Sequence, residues 1–225
     1  QAPAVDTEEL KAIRDRMLAR GPDGSGLWVA EHRRIGLAHR RLSILDLSEA
    51  GRQPMLGPDG QVVISFNGEI YNYPALRQEL LAAGVPLQST CDTEAILHLY
   101  QREGTAAFNR LRGMFAIALW DARQGKLLLA RDSLGIKPLY YANNGRSLRF
   151  ASQVKALLAS PEVSSTPDLA ATAAYFVRGT VAEPRTWLQD VSALPPGHWL
   201  EVTEQNVGTP QAFHTLEDAF RNPVV

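Results

Sequence analysis

The chain has 225 residues, 45% of them apolar and 21% charged, with a net charge of -1. That length suits one large domain or two small ones and is ample for a real core, and the near-neutral balance leaves no electrostatic footprint for nucleic acid or an anionic membrane. No apolar run approaches the roughly 20 residues a bilayer needs. The single cysteine, Cys91, makes neither an internal disulfide nor a zinc cluster, so a reducing, cytoplasmic setting is expected.

The first residues, Gln1-Ala2-Pro3-Ala4-Val5, have no basic start and no apolar signal core. The spacing of Leu10, Ile13, Met17 and Leu18 predicts a helix over 6–20, with Asp6 or Thr7 as its cap and Glu8 and Glu9 at its positive end. Gly21-Pro22-Asp23-Gly24 ends it in a turn. Strands are expected at 27–30, 34–40 and 61–66, the last stopped by Asn67-Gly68. Helices follow at 74–83 and 92–102, the second opened by Asp92, Thr93 and Glu94 ahead of Ile96, Leu97 and Tyr100. Apolar strands at 114–120 and 126–130 flank a turn at 121–125. Asn143-Asn144-Gly145 joins strands at 139–142 and 148–151 as a hairpin. Segments 154–158 and 169–176 read as helices and 199–202 as a strand; the stretch beyond Thr203 is polar and patternless.

Strands joined by tight turns pair antiparallel. Here they cluster, with helices grouped between them, which is an α+β pattern. Several strands are apolar on both faces, so two packed sheets with helices outside are expected.

Four segments carry a resemblance. They are Arg20-Gly21-Pro22-Asp23-Gly24; His39-Arg40-Arg41-Leu42-Ser43-Ile44-Leu45-Asp46 with Gln53-Pro54-Met55; Phe66-Asn67-Gly68-Glu69-Ile70-Tyr71-Asn72; and Arg131-Asp132-Ser133-Leu134-Gly135-Ile136-Lys137-Pro138-Leu139-Tyr140-Tyr141. With Asp92-Thr93-Glu94, Phe150-Ala151-Ser152 and Leu194-Pro195-Pro196-Gly197-His198, they resemble, in order, the class II glutaminase domain of glutamine-dependent asparagine synthetases. The resemblance implies an N-terminal-nucleophile hydrolase fold, a four-layer α-β-β-α sandwich of two antiparallel sheets. It places the glutaminase domain at 1–203 and a linker, or the start of a synthetase domain, at 204–225.

The resemblance also assigns roles. Arg41 would hold the α-carboxylate of glutamine, a task that suits a guanidinium because its parallel N–H groups fix orientation. The bland alternative is a surface arginine. Asp92 would hold the α-ammonium; alternatively it is a plain helix cap. Asn67 and the Gly68 N–H would receive the oxyanion formed at the carboxamide, where glycine allows close approach or positive φ; the alternative is an ordinary Asn-Gly turn. Main chain around Leu42, Ile44 and Glu69 would line the pocket. Segment 131–141 reads as architectural, with Gly135 and Pro138 setting a turn and Arg131 paired with Asp132.

The family's nucleophile is a cysteine at the mature N-terminus, with its own amine as base. Here Gln1 stands near the first helix, and a glutamine amide is not a nucleophile. Three explanations stay open: the first strand is disordered or left out, the chain is truncated, or the protein is a pseudo-glutaminase. Cys91 is a weak substitute, because Asp92 beside it opposes thiolate formation. None of the five histidines has metal-ligand spacing. No pyrophosphatase or phosphate loop appears, so no cofactor is expected in this chain; ATP and Mg2+ would serve the absent C-terminal synthetase domain. Expected partners are glutamine and that domain, with a homodimer allowed and no nucleic acid or membrane. The expected activity is glutamine hydrolysis feeding ammonia to aspartate amidation. The alternatives are a catalytically dead glutamine-binding domain, or the same domain serving another amide- or β-lactam-forming ligase.

Overall fold

In the computed structural model, which describes residues 3–42 and 51–221, helix α1 (Thr7–Asp15) starts on Asp6, whose carboxylate accepts from the N–H groups of Glu8 and Glu9. A short 3₁₀ turn, Leu18–Arg20, replaces the end of the expected helix. Strands β1 (Gly24–Val29) and β2 (Gly36–Arg41) form an antiparallel ribbon. Then come β3 (Met55–Leu56), β4 (Val62–Ile70), α2 (Tyr73–Ala82), α3 (Asp92–Glu103) and a 3₁₀ segment, Gly104–Arg110. The next strands are β5 (Gly113–Asp121), β6 (Lys126–Arg131), β7 (Tyr140–Asn143) and β8 (Leu148–Ala151), the last two joined by the expected hairpin. Helices α4 (Val154–Leu157) and α5 (Leu169–Arg178) precede β9 (Val191–Ala193), β10 (His198–Thr203), β11 (Gln211–Ala212) and α6 (Leu216–Arg221).

A six-stranded antiparallel sheet runs β11-β10-β6-β5-β4-β3, and a three-stranded sheet runs β8-β7-β9. The period-2 alternation of strands decides what each face meets. From the large sheet, Ile64, Phe66, Phe115, Ile117 and Leu128 pack on Leu80 of α2 and Ile96 and Leu99 of α3. On its other face Val63, Ala116, Ala118, Leu127 and Leu129 meet Leu37 of β2 and Leu139, with Tyr141 and Phe150 alongside. Beyond that second β layer, Ala142, Ala151 and Val191 pack on Ile13 of α1 and on Ala156 and Leu157 of α4. The layer order is therefore α-β-β-α, as expected, with the second β layer divided between the ribbon and the three-stranded sheet.

Three expectations need correction. The Asn67-Gly68 pair does not stop a strand: β4 continues to Ile70, with Asn67 opposite Ala116 and Gly68 opposite Phe115. Gly68 is required by close approach rather than by positive φ, since a Cβ there would stand 2.2 Å from the Met114 carbonyl oxygen. Arg131 pairs with Glu183 at 2.7 Å and not with Asp132, whose carboxylate accepts from the N–H groups of Phe115, Leu134, Ile136 and Lys137. The Arg131 guanidinium also donates to the carbonyls of Gly135, Lys137 and Leu194. Gly135 lies at φ +65, where any Cβ would press on that guanidinium. Finally, the chain past 203 is folded in its first part: Gln211 and Ala212 pair with Trp199 and His198, and the Phe213 ring packs near Phe108 and Phe115.

Candidate active site

The two β layers separate around a cavity of about 700 Å³, lined by Arg41, Leu42, Asn67, Gly68, Glu69 and Asp92 among others. Six of the seven residues singled out in the sequence thus share one space; Ile44 lies outside the described residues. Alternation explains the gathering. Along β4, Val62, Ile64 and Phe66 face the helices, which turns Ser65, Asn67 and Glu69 toward the cavity. Along β2, Leu37 faces inward, so His39 and Arg41 do too.

The rungs between β2 and β4 change from apolar to polar along the strands. Leu37 and Val63 share the core, and the next step is a hydrogen bond between His39 Nδ1 and Ser65 Oγ at 3.1 Å. The His39 pKa is pushed down to about 4, first by burial and then by the neighbouring Arg41 charge, so the imidazole is neutral. Its folded pKa lies below the unfolded value, so this contribution is complete above pH 6.5 and is lost as pH falls through about 4. A loss of at most about 3 kcal/mol is expected over that window. Denaturant titrations at pH 7 and pH 4.5 should show His39→Gln with a flatter pH dependence than the parent; equal slopes would remove the assignment.

Asp92 is not the cap of α3. Cys91 occupies the cap position, and Asp92, the first helical residue, is buried with Oδ2 accepting from Ile70 N–H at 3.0 Å. Burial raises its pKa most; the Ile70 N–H opposes this and the nearby Glu69 carboxylate reinforces it. Stability tied to this group is greatest at low pH and falls as pH rises through the raised folded pKa. Asp92→Asn is therefore expected to be at least as stable as the parent at pH 7 without ligand. A lower thermal midpoint for the variant would contradict that.

The site is polarised. Arg41, beside His39, sets a positive side, whereas Glu69 and Asp92 set a negative one. A free amino acid carries that pair of charges at one end. Asn67 Nδ2 reaches Ser152 Oγ only at 3.5 Å, the outer limit of a hydrogen bond, so its N–H groups are available to a ligand oxygen. The Gln153 Oε1 atom on the same wall is buried without a partner, an acceptor that a ligand N–H would satisfy.

Gln53 has a role that the sequence motifs do not assign. Its Oε1 accepts from Phe66 N–H at 2.6 Å and its Nε2 donates to Thr93 Oγ1 at 3.4 Å. It therefore ties β4 to α3, the elements that carry Asn67 and Asp92. Its place in the Gln53-Pro54-Met55 segment is the signal in the sequence, as Phe150-Ala151-Ser152 is for Ser152. Ser65 and Gln153 carry none. Cys91 also lines the cavity, but its thiol is buried 3.0 Å from Ser89 Oγ, and burial pushes its pKa up. That is the reverse of what an activated nucleophile needs.

The layer order and the inter-sheet cavity define an N-terminal-nucleophile hydrolase fold. The chain belongs to the family described as "Glutamine amidotransferase domain", whose model it matches over residues 2–214. It is 35% identical over 205 residues to a protein named asparagine synthetase [glutamine-hydrolyzing] 3 of Bacillus subtilis, covering 90% of this chain and 33% of that one. Asparagine synthetase [glutamine-hydrolyzing] 1 of the same organism is 40% identical over 197 residues, covering 87% and 30%. An amidase, chry2, of Gibberella zeae is 36% identical over 198 residues, covering 86% and 28%. The chain spans about a third of the length of these relatives. Among solved structures, glutamine phosphoribosylpyrophosphate amidotransferase from B. subtilis superposes with a TM-score of 0.62 at 19% identity, covering 92% of this chain and 45% of that one, a likeness of fold.

Proposed function

We propose that this chain is the glutaminase domain of a longer asparagine synthase, hydrolysing glutamine to glutamate and ammonia for amidation of aspartate in a second domain that uses ATP and Mg2+. The observation that carries the reading is the meeting of Arg41, Asn67, Gly68 and Asp92 in one cavity. Arg41 holds the α-carboxylate, while Asp92, with Glu69 near it, holds the α-ammonium. The carboxamide oxygen then lies against Asn67 Nδ2 and the Gly68 N–H, and main chain near Leu42 and Ile44 closes the pocket.

The nucleophile in this reading is an N-terminal cysteine ahead of Gln1. Its sulfur attacks the amide carbon, and negative charge gathers on the oxygen facing Asn67 and Gly68. The C–N bond breaks as ammonia leaves with the proton held by the cysteine's own amine. Water then hydrolyses the thioester to glutamate. On this reading a polypeptide lacking that cysteine releases no glutamate from glutamine. No described helix is long and apolar enough to cross a membrane, and the reading places the enzyme in the cytoplasm.

The test compares the chain beginning at Gln1 with one extended by a first strand that starts on cysteine after removal of Met. Glutamate release from the extended chain alone, retained in Cys91→Ala, is the expected result. A folded extended chain that binds glutamine without turning it over would favour a regulatory domain instead. The likeness to an amidase favours a second reading of the acceptor; assaying the complete protein with aspartate, glutamine and ATP decides it.

A further inference from the structure

Helix α5 turns its apolar stripe away from the domain. Leu169, Ala173, Phe176 and Val177 stand at i, i+4, i+7 and i+8, the spacing of a stripe that normally faces a core. Here Leu169 is 77% exposed and Phe176 and Val177 are each 83% exposed, while Ala171, on the opposite face, is the one buried residue of the helix. Both ends are nonetheless fixed. The Asp168 carboxylate accepts from the N–H groups of Ala170 and Ala171 and pairs with Arg185, and Gly179 closes the C-terminus in the left-handed conformation. The Tyr175 ring packs edge-on to Phe176 at 6.1 Å. A helix of about this length is marginal in water without tertiary packing, and a contiguous apolar stripe on a surface marks an interaction site.

We infer that this stripe is the face on which the second domain of the longer protein docks, an inference that rests on the function proposed above. Two observations select that occupant over a second copy of the chain. The relatives matched here are about three times as long as the chain, which covers 33% and 30% of two of them. The stripe also comprises four side chains of one helix, short of the roughly 20–30 residues a side of a freestanding complex. A covalently linked domain is held at millimolar effective concentration and settles on a smaller patch. The stripe carries no charged side chain, so the facing surface must be apolar.

The test is amide hydrogen exchange over residues 173–178, in the 225-residue chain and in the complete gene product. Exchange at least about tenfold slower in the complete protein is expected. Leu169→Asp with Phe176→Asp should erase the difference while leaving the thermal midpoint of the shorter chain unchanged. A second domain that leaves α5 exchanging at its isolated rate overturns the docking face and leaves the functional reading standing. A chain that dimerises by light scattering, and is dispersed by Phe176→Asp, assigns the stripe to a second copy and overturns it too. A gene product that ends at Val225 removes the functional reading along with it.

Discussion

Replacing Asn67 by alanine lowers kcat for glutamine hydrolysis about 10²–10³-fold in a chain that carries its N-terminal cysteine, the usual effect of removing one oxyanion donor. KM changes little, because the amide N–H meets full negative charge only once the carbonyl carbon has become tetrahedral. The substitution costs the fold little: the side chain is partly exposed and its bond to Ser152 stands at 3.5 Å. Unchanged far-UV circular dichroism with collapsed kcat supports the role. A variant whose KM rises while kcat holds would instead make Asn67 a ground-state contact. In the proposed reading the neighbouring donor is the main-chain N–H of Gly68, so no side-chain substitution isolates its share.

Arg41→Ala raises KM for glutamine by about 100-fold, with a smaller change in kcat. Two charge-assisted hydrogen bonds to a carboxylate contribute about 1.5–3 kcal/mol each where they are well formed, and the lower end of that range, about 3 kcal/mol for the pair, is on the order of 100-fold. Arg41→Lys recovers part of this, since an ammonium restores the charge without the paired N–H geometry. Calorimetric titration of glutamine into the chain beginning at Gln1 separates binding from turnover. If the alanine variant binds as tightly as the parent there, Arg41 does not hold the carboxylate.

Much of the site was visible because it is written in contiguous motifs. Arg41 follows His39-Arg40, and Glu69 follows Asn67-Gly68, so one strand delivers each group by simple alternation. The strand ends and turn signals were legible for the same local reason, as at Asn143-Asn144-Gly145. The readings that moved depend on neighbours distant in sequence. Asn67-Gly68 has a turn's composition, yet nine residues of β5 pair along β4 and override it, with Gly68 admitting the Met114 carbonyl. Asp92 has a cap's composition, yet the Ile70 N–H claims its carboxylate from the end of β4. Arg131 sits beside Asp132 in the chain, but both side chains bind the 134–137 loop rather than each other: Arg131 donates to the Gly135 and Lys137 carbonyls and pairs with Glu183, and Asp132 accepts from four backbone N–H groups. The last folded stretch was missed because Phe213 stands alone in a polar run; only the apolar face beneath it, at Phe108 and Phe115, gives it a place.

The two bonds of Gln53 have a consequence for selectivity. Because one amide clasps both the strand bearing Asn67 and the helix bearing Asp92, the gap between the grip on the amino group and the cradle for the amide oxygen is set like a fixed gauge. Asparagine, one methylene shorter, cannot reach both ends at once on this reading. Loosening the gauge with Gln53→Ala would blur the distinction between the two amides before it weakened the hold on either.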